Sequence, residues 1–243
     1  MENASKALLM AGGILIALII IGALVLMFNQ IGSYEKLQDA NKKNSQLAEF
    51  NKEFERYIDD KEISGADVIS LINKVIDYNY KAKNGGVNNS VDYDIKMSIT
   101  ISNLDNFNSK YAYNDESNKI FKLSSYIIGD NYDNKFSYQL KNDLDAAKNM
   151  ENTAGISKDQ LKQLSAMYDN GNKTESIEKI KEKLVEINGD AYKNWNGNNM
   201  NPKLDAIIKY RQYWEFKTSK FKIDGNAVYQ NGQIKDIKFK FYK

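Results

Sequence analysis

FNKEFERYIDDKEISGADVISLINKVIDYN (residues 50–79) holds two amphipathic segments in succession, and it begins a short way downstream of an uninterrupted apolar run. Leu47, Phe50, Phe54 and Tyr57, with Ile58 beside them, follow steps of three and four, which define one face of a helix. That face needs a cover. Ser64 to Asn79 supplies one: Ser64 suits an N-cap, and Asp67 falls in the first turn, where its charge favours the helix dipole. Val68, Leu71, Ile72, Val75 and Ile76 then form an apolar stripe. Two helices joined by the polar link 59–63 are therefore expected, with Phe50, Phe54, Tyr57, Val68, Leu71 and Ile72 as the core of the hairpin.

Upstream, Ala7 to Phe28 contains no charged residue. At about 1.5 Å per residue it would span roughly 33 Å, enough for a bilayer core. A cleaved signal peptide is the rival, but its apolar region is normally about 7–15 residues and ends at a small-x-small site. This run is longer and ends in Leu26-Met27-Phe28-Asn29, so an uncleaved signal anchor is expected. Ala7/Ala11 and Gly13/Ala17 have the four-residue spacing that lets membrane helices approach closely. They are the candidate packing residues for self-association; the plain alternative is the general abundance of Gly and Ala in such helices. Lys36, Lys42 and Lys43 lean toward a cytoplasmic C-terminal part by the positive-inside rule. The short N-terminal tail with one long span leans the other way, and an extracytoplasmic domain is the expectation adopted.

Beyond Phe28 the helical pattern continues through Ile31, Tyr34 and Leu37. Residues 38–46 are almost wholly polar, either a solvated stretch of a long helix or a hinge near Asn44-Ser45. Downstream of a loop over 81–90, Val91 to Ile101 alternates apolar and polar residues and predicts a half-buried strand. Shorter strands are expected at 110–113, 119–123 and 136–140. Ser157 with Gln160 makes a capping box, Thr174 opens a second helix closed by Asn188-Gly189, and Pro202 suits the first position of a third. The remainder predicts strands: 214–223, 227–229, and the alternation of Ile237, Phe239 and Phe241 after an Asn231-Gly232 turn. The segregation of strands and helices points to an α+β fold with an antiparallel sheet. The expected organisation is a tail over 1–6, a transmembrane helix over 7–28, a stalk helix and hairpin over 29–79, and an α+β globular domain over 80–243.

Composition excludes more than it assigns. The chain has 34 Lys+Arg against 32 Asp+Glu, so no nucleic-acid partner is expected. Neither cysteine nor histidine occurs, which removes disulfides, thiolate nucleophiles, and the commonest general base and metal ligand. Arg56 and Arg211 are the only arginines. The acidic, Asn-rich loops at 129–135 and 168–175 lack the sixth-place glycine and terminal glutamate of a calcium loop and read as ordinary turns. No phosphate-binding or nucleophile-elbow motif is present, and no cofactor and no enzymatic activity are expected. A carboxylate-based hydrolase is the residual enzymatic option. Trp195, in the Asn-rich stretch 194–202, is the candidate surface contact. The lysines set opposite aromatics in 235–243 fit an amphipathic strand, with an anionic surface as the alternative partner.

The N-terminal ENASKALLMAGGILIALIII anchor, the Phe50-x-x-x-Phe54-x-x-Tyr57 motif and Gly65-x-x-Val68-x-x-Leu71-Ile72 resemble uncharacterised single-pass proteins of clostridia and related bacteria. The resemblance covers about the first third of the chain and implies an anchored envelope protein without an assigned activity. At the level of architecture the chain also resembles type IV pilins and pseudopilins. It departs from them in lacking a Gly-Phe-like processing site and a glutamate five residues into the mature helix. The expected function is that of a pilin-like, membrane-anchored structural or interaction protein with membrane lipid and an unknown protein as partners. The alternative is a tethered ligand-binding or accessory module of a transport or secretion system.

Overall fold

The computed structural model describes residues 2–59, 62–83, 95–113, 119–129, 138–150, 156–169, 171–189 and 197–243. The chain divides into two compact units, one made of its first fifty residues and the other of the described residues from Asn51 onward. The first unit is helical and belongs to α1 (Glu2–Asp59), which runs 58 residues without a break. The polar stretch 38–46 is thus solvated helix and not a hinge. Large apolar side chains of this unit lie open on every side, from Leu24 at 47% exposed to Leu8 at 79%. By length and composition the helix can cross a membrane.

In the second unit, the last turns of α1 are followed by β1 (Ile63–Ser64) and α2 (Gly65–Lys83). The Ser64 hydroxyl accepts from the Asp67 N–H at 3.2 Å, and the Asp67 carboxylate accepts from the Ser64 N–H at 3.0 Å. That reciprocal pair starts α2 where the sequence predicts it. The helix runs to Lys83, beyond the expected stop at Asn79; 84–94 lie outside the described residues, including the first four residues of the predicted strand at 91–101, and 95–97 are not strand, which begins only at Ser98. Phe54, Tyr57, Val68, Leu71 and Ile72 are all buried, and Phe50 is half-buried. Part of the cover over the end of α1 is nonetheless a hairpin. The buried Asn51 amide donates to the Gly232 carbonyl at 2.7 Å and accepts from the Ile234 N–H at 3.1 Å.

The sheet adds β2 (Ser98–Ser102), β3 (Tyr126–Ile128), β4 (Lys220–Ile223), β5 (Val228–Gln230) and β6 (Gln233–Phe241). Its order is β1-β4-β6-β2-β3, with β5 also on β6. The central β2–β6 pair is parallel, with Ile99 opposite Ile237 and Ile101 opposite Phe239, so the sheet is mixed and not antiparallel as expected. One face carries Ile99, Ile101, Phe221, Ile237, Phe239 and Phe241, all buried. On the other, Lys240 pairs with Asp224 at 2.9 Å, and Lys222 reaches Glu62 at 3.7 Å. Lys235, Lys238 and Lys240 therefore belong to an amphipathic strand, and Lys243 lies just past its end. Asn231 and Gly232, at φ 52° and 78°, join β5 to β6 in a two-residue turn with the primed geometry that matches sheet twist.

The helices are α3 (Leu104–Lys110), α4 (Gln139–Lys148), α5 (Lys158–Met167), α6 (Lys173–Asn188) and α7 (Gly197–Thr218). Ser157 and Gln160 form the predicted capping box at the start of α5. Gly189, at φ 66°, ends α6. Phe107 of α3 is fully buried among Phe121, Phe216 and Phe241, with ring centroids 5.1, 6.2 and 5.5 Å away.

Five expectations fail here. Residues 110–113 are the end of α3 and a turn, with Ala112 at φ 54°. Segment 119–123 is not a strand, because side chains satisfy its backbone: the Ile120 N–H donates to Gln212 Oε1 at 2.8 Å, the Phe121 carbonyl accepts from Asn108, and the Lys122 N–H donates to the Tyr126 hydroxyl. Gln139 and Leu140 open α4, while 136–137 lie outside the described residues. Trp214 to Thr218 is helix, since burial of Tyr210, Tyr213 and Phe216 at three-residue steps outweighs the strand preference of aromatics. The same helix begins at Gly197, so Pro202 sits inside it and not at its first position.

Candidate functional site

Helix α7 packs against α2, α4 and α5. Its buried residues include Ile207, Ile208, Gln212 and Phe216, so it is a central helix with little free surface. Part of that free surface is Arg211, Trp214, Glu215 and Thr218, spaced i, i+3, i+4, i+7 along one face. They meet Lys162 and Ser165 of α5 around a groove of about 250 Å3.

The polar core of the groove is a hydrogen-bonded carboxylate. The Tyr113 hydroxyl donates to Glu215 Oε2 at 2.6 Å, and Arg211 Nε donates to Glu215 Oε1 at 3.0 Å. Burial raises the Glu215 carboxyl above its ordinary value, while Tyr113 and Arg211 oppose the rise. Burial, then the Glu215 charge, pushes the Tyr113 phenol far above its usual range, so it stays a donor. With both oxygens engaged, Glu215 holds its neighbours in place and is poorly disposed to shuttle protons.

Two lysines flank the indole: Lys162 Nζ lies 5.2 Å from the Trp214 ring centroid and Lys217 Nζ 4.9 Å from it. The Trp214 Nε1–H is buried and has no acceptor among the described residues. Lys162 makes no ion pair among the described residues, and Arg211 engages only through Nε. The groove is therefore rich in donors and poor in available acceptors.

A second, smaller hollow of about 170 Å3 carries Lys119, Lys122 and Lys209 around Asp143. Burial raises the Asp143 carboxyl, opposed by its bond from Gln139 and by Lys122 and Lys209.

The residues singled out from sequence fall elsewhere. Ala7, Ala11, Gly13 and Ala17 are exposed on α1. At about 100° per residue the Ala7/Ala11 pair and the Gly13/Ala17 pair point in widely different directions, so a single straight contact cannot use both. Trp195 lies outside the described residues, and so do Asp130 to Lys135 of the first acidic loop. In the second, Asp169 accepts from the Gly171 N–H at 2.9 Å as a local turn, and Glu175 pairs with Lys179. Arg211, Trp214 and Glu215 carry a helical spacing in the sequence, hidden by reading 214–223 as strand. Tyr113, about a hundred residues away, has no local mark.

Glu215 makes a pH-dependent contribution whose sign follows from its raised carboxyl. A group that binds its proton more tightly when folded stabilises the fold most below the ordinary glutamate value of about 4.3. That contribution is lost as pH rises through the raised value. Melting of wild type and Glu215→Gln between mildly acidic and neutral pH is expected to show the wild-type advantage shrinking as pH rises. A difference independent of pH would contradict the assignment.

Comparison with protein-family models, with curated proteins and with solved structures returns no match.

Proposed function

We propose that the chain is a single-pass, non-enzymatic protein of the bacterial cell envelope, anchored by α1 and serving a structural or interaction role. The proposal includes the pilin-like arrangement, the likeness to single-pass proteins of clostridia, and placement of the C-terminal unit outside the cytoplasm. One observation carries it: the uncharged stretch Ala7 to Phe28 lies in one helix with its apolar side chains exposed all round. Water would charge heavily for that surface, at about 25 cal/mol per Å2, and lipid removes the penalty. Membrane lipid is thus the first partner. Self-association would use either Ala7/Ala11 or Gly13/Ala17.

The groove on α7 favours one specific second possibility, a tethered ligand-binding or accessory module. Both versions share the anchor. Protease treatment of intact cells expressing the chain with a C-terminal tag is the test: the full-length tagged product is expected to disappear while cytoplasmic controls survive. Full retention of that product, with surface controls digested, would overturn the extracytoplasmic placement. Recovery of the full-length tagged product in the soluble fraction of untreated cells would overturn the anchor.

A further inference from the structure

We propose that the groove between α5 and α7 binds a small organic carboxylate, its apolar body resting on the Trp214 indole and its charge held by Arg211 and Lys162. The charges lining the groove are Lys162 and Arg211 against Glu215 alone. Glu215 is already spent on Tyr113 and Arg211 Nε, whereas the outer guanidinium nitrogens and the Lys162 ammonium have no acceptor among the described residues. An ammonium ligand would have to compete for a carboxylate held by two donors. An anion meets unused ones instead, and the guanidinium fork suits a carboxylate in particular.

The apolar half of the specificity comes from Trp214, which is half-buried and presents a ring beside the free cations. The volume limits the ligand. At about 250 Å3 the groove falls below the roughly 300–1,000 Å3 of drug-sized sites, which fits one ring or a short branched chain with a short acid arm. Nothing in this assignment depends on which side of the membrane the groove faces, so its failure would leave the anchor proposal standing.

The experiment uses the full chain in lipid nanodiscs with Trp195→Phe, which leaves Trp214 as the only indole. Hydrocinnamate is the probe, and its uncharged amide and phenethylamine are the controls. Hydrocinnamate is expected to change Trp214 emission saturably, and the amide to bind at least about tenfold more weakly, the share of one charge-assisted hydrogen bond. Arg211→Gln and Lys162→Gln are each expected to weaken hydrocinnamate by roughly tenfold and to leave the amide unchanged. Circular dichroism confirms that each variant is folded; Lys162→Gln decides alone should Arg211→Gln unfold. Equal binding of acid and amide, tighter binding of the amine, indifference to the substitutions, or only a linear response from partition into lipid would each overturn the proposal.

Discussion

Gly65→Ala is expected to cost about 4 kcal/mol or more, enough to unfold much of the second unit. A Cβ at Gly65 would sit 1.8 Å from the Phe216 carbonyl oxygen and 2.7 Å from its carbon. Both atoms are backbone, so no rotamer change relieves the overlap. The start of α2 would have to withdraw from the end of α7, breaking the Gly65 N–H bond to the Ser219 carbonyl at 2.9 Å. The paired strands β1 and β4 lie immediately on either side of this contact. Gly171→Ala is the control, since its nearest neighbour would be a flexible Asp169 oxygen at 3.4 Å. Denaturant unfolding followed by circular dichroism should place Gly65→Ala far below Gly171→Ala, which should match wild type within about 0.5 kcal/mol. Similar midpoints for the two would mean that the α2–α7 approach is wrongly described.

The second large effect is expected at Asn79. This side chain is 1% exposed and brackets three backbone groups. Its amide donates to the carbonyls of Met97 and Gly129, each at 2.8 Å, and its oxygen accepts from the Met97 N–H at 2.9 Å. Gly129 is fitted to the bracket: at φ 94°, its added Cβ would meet the Met97 carbonyl at 2.6 Å. Asn79→Leu keeps the branching at Cγ and strands two acceptors and one donor in an apolar core. At about 1–3 kcal/mol for each stranded group the loss is roughly 3–9 kcal/mol. That corresponds to a fall in melting temperature on the order of 10 °C for a unit of this size. Amide exchange at Met97 should accelerate in the same variant. A fall of under about 2 °C would refute the bracket.

The residues that were legible in the sequence are those whose partners lie close by. Ser157 with Gln160, Ser64 with Asp67, the Asn231-Gly232 turn and the alternation in β6 each declare themselves within a few positions. What stayed hidden is long-range. Segment 119–123 has a strand-like composition, yet its bonds go to Asn108, Tyr126 and Gln212, a choice set by tertiary packing. The parallel register of β2 on β6 leaves no local trace, because either direction places Ile99 and Ile101 on the same face. The candidate groove was missed for a related reason: its residues share a face only if 214–218 is helix, and its organising hydrogen bond comes from Tyr113.

Strand β6 is hydrogen-bonded to β2, β4 and β5, and its Asp236 accepts from Ser98, 138 residues earlier. A nascent chain therefore cannot close its sheet until translation has passed Phe241, and closing so wide a loop makes folding slow. Until then β2 waits with its edge unsatisfied, open to wrong pairing with other chains. Under the proposed extracytoplasmic placement the delay would be useful, because a chain that has not yet folded is the form that can be threaded across a membrane.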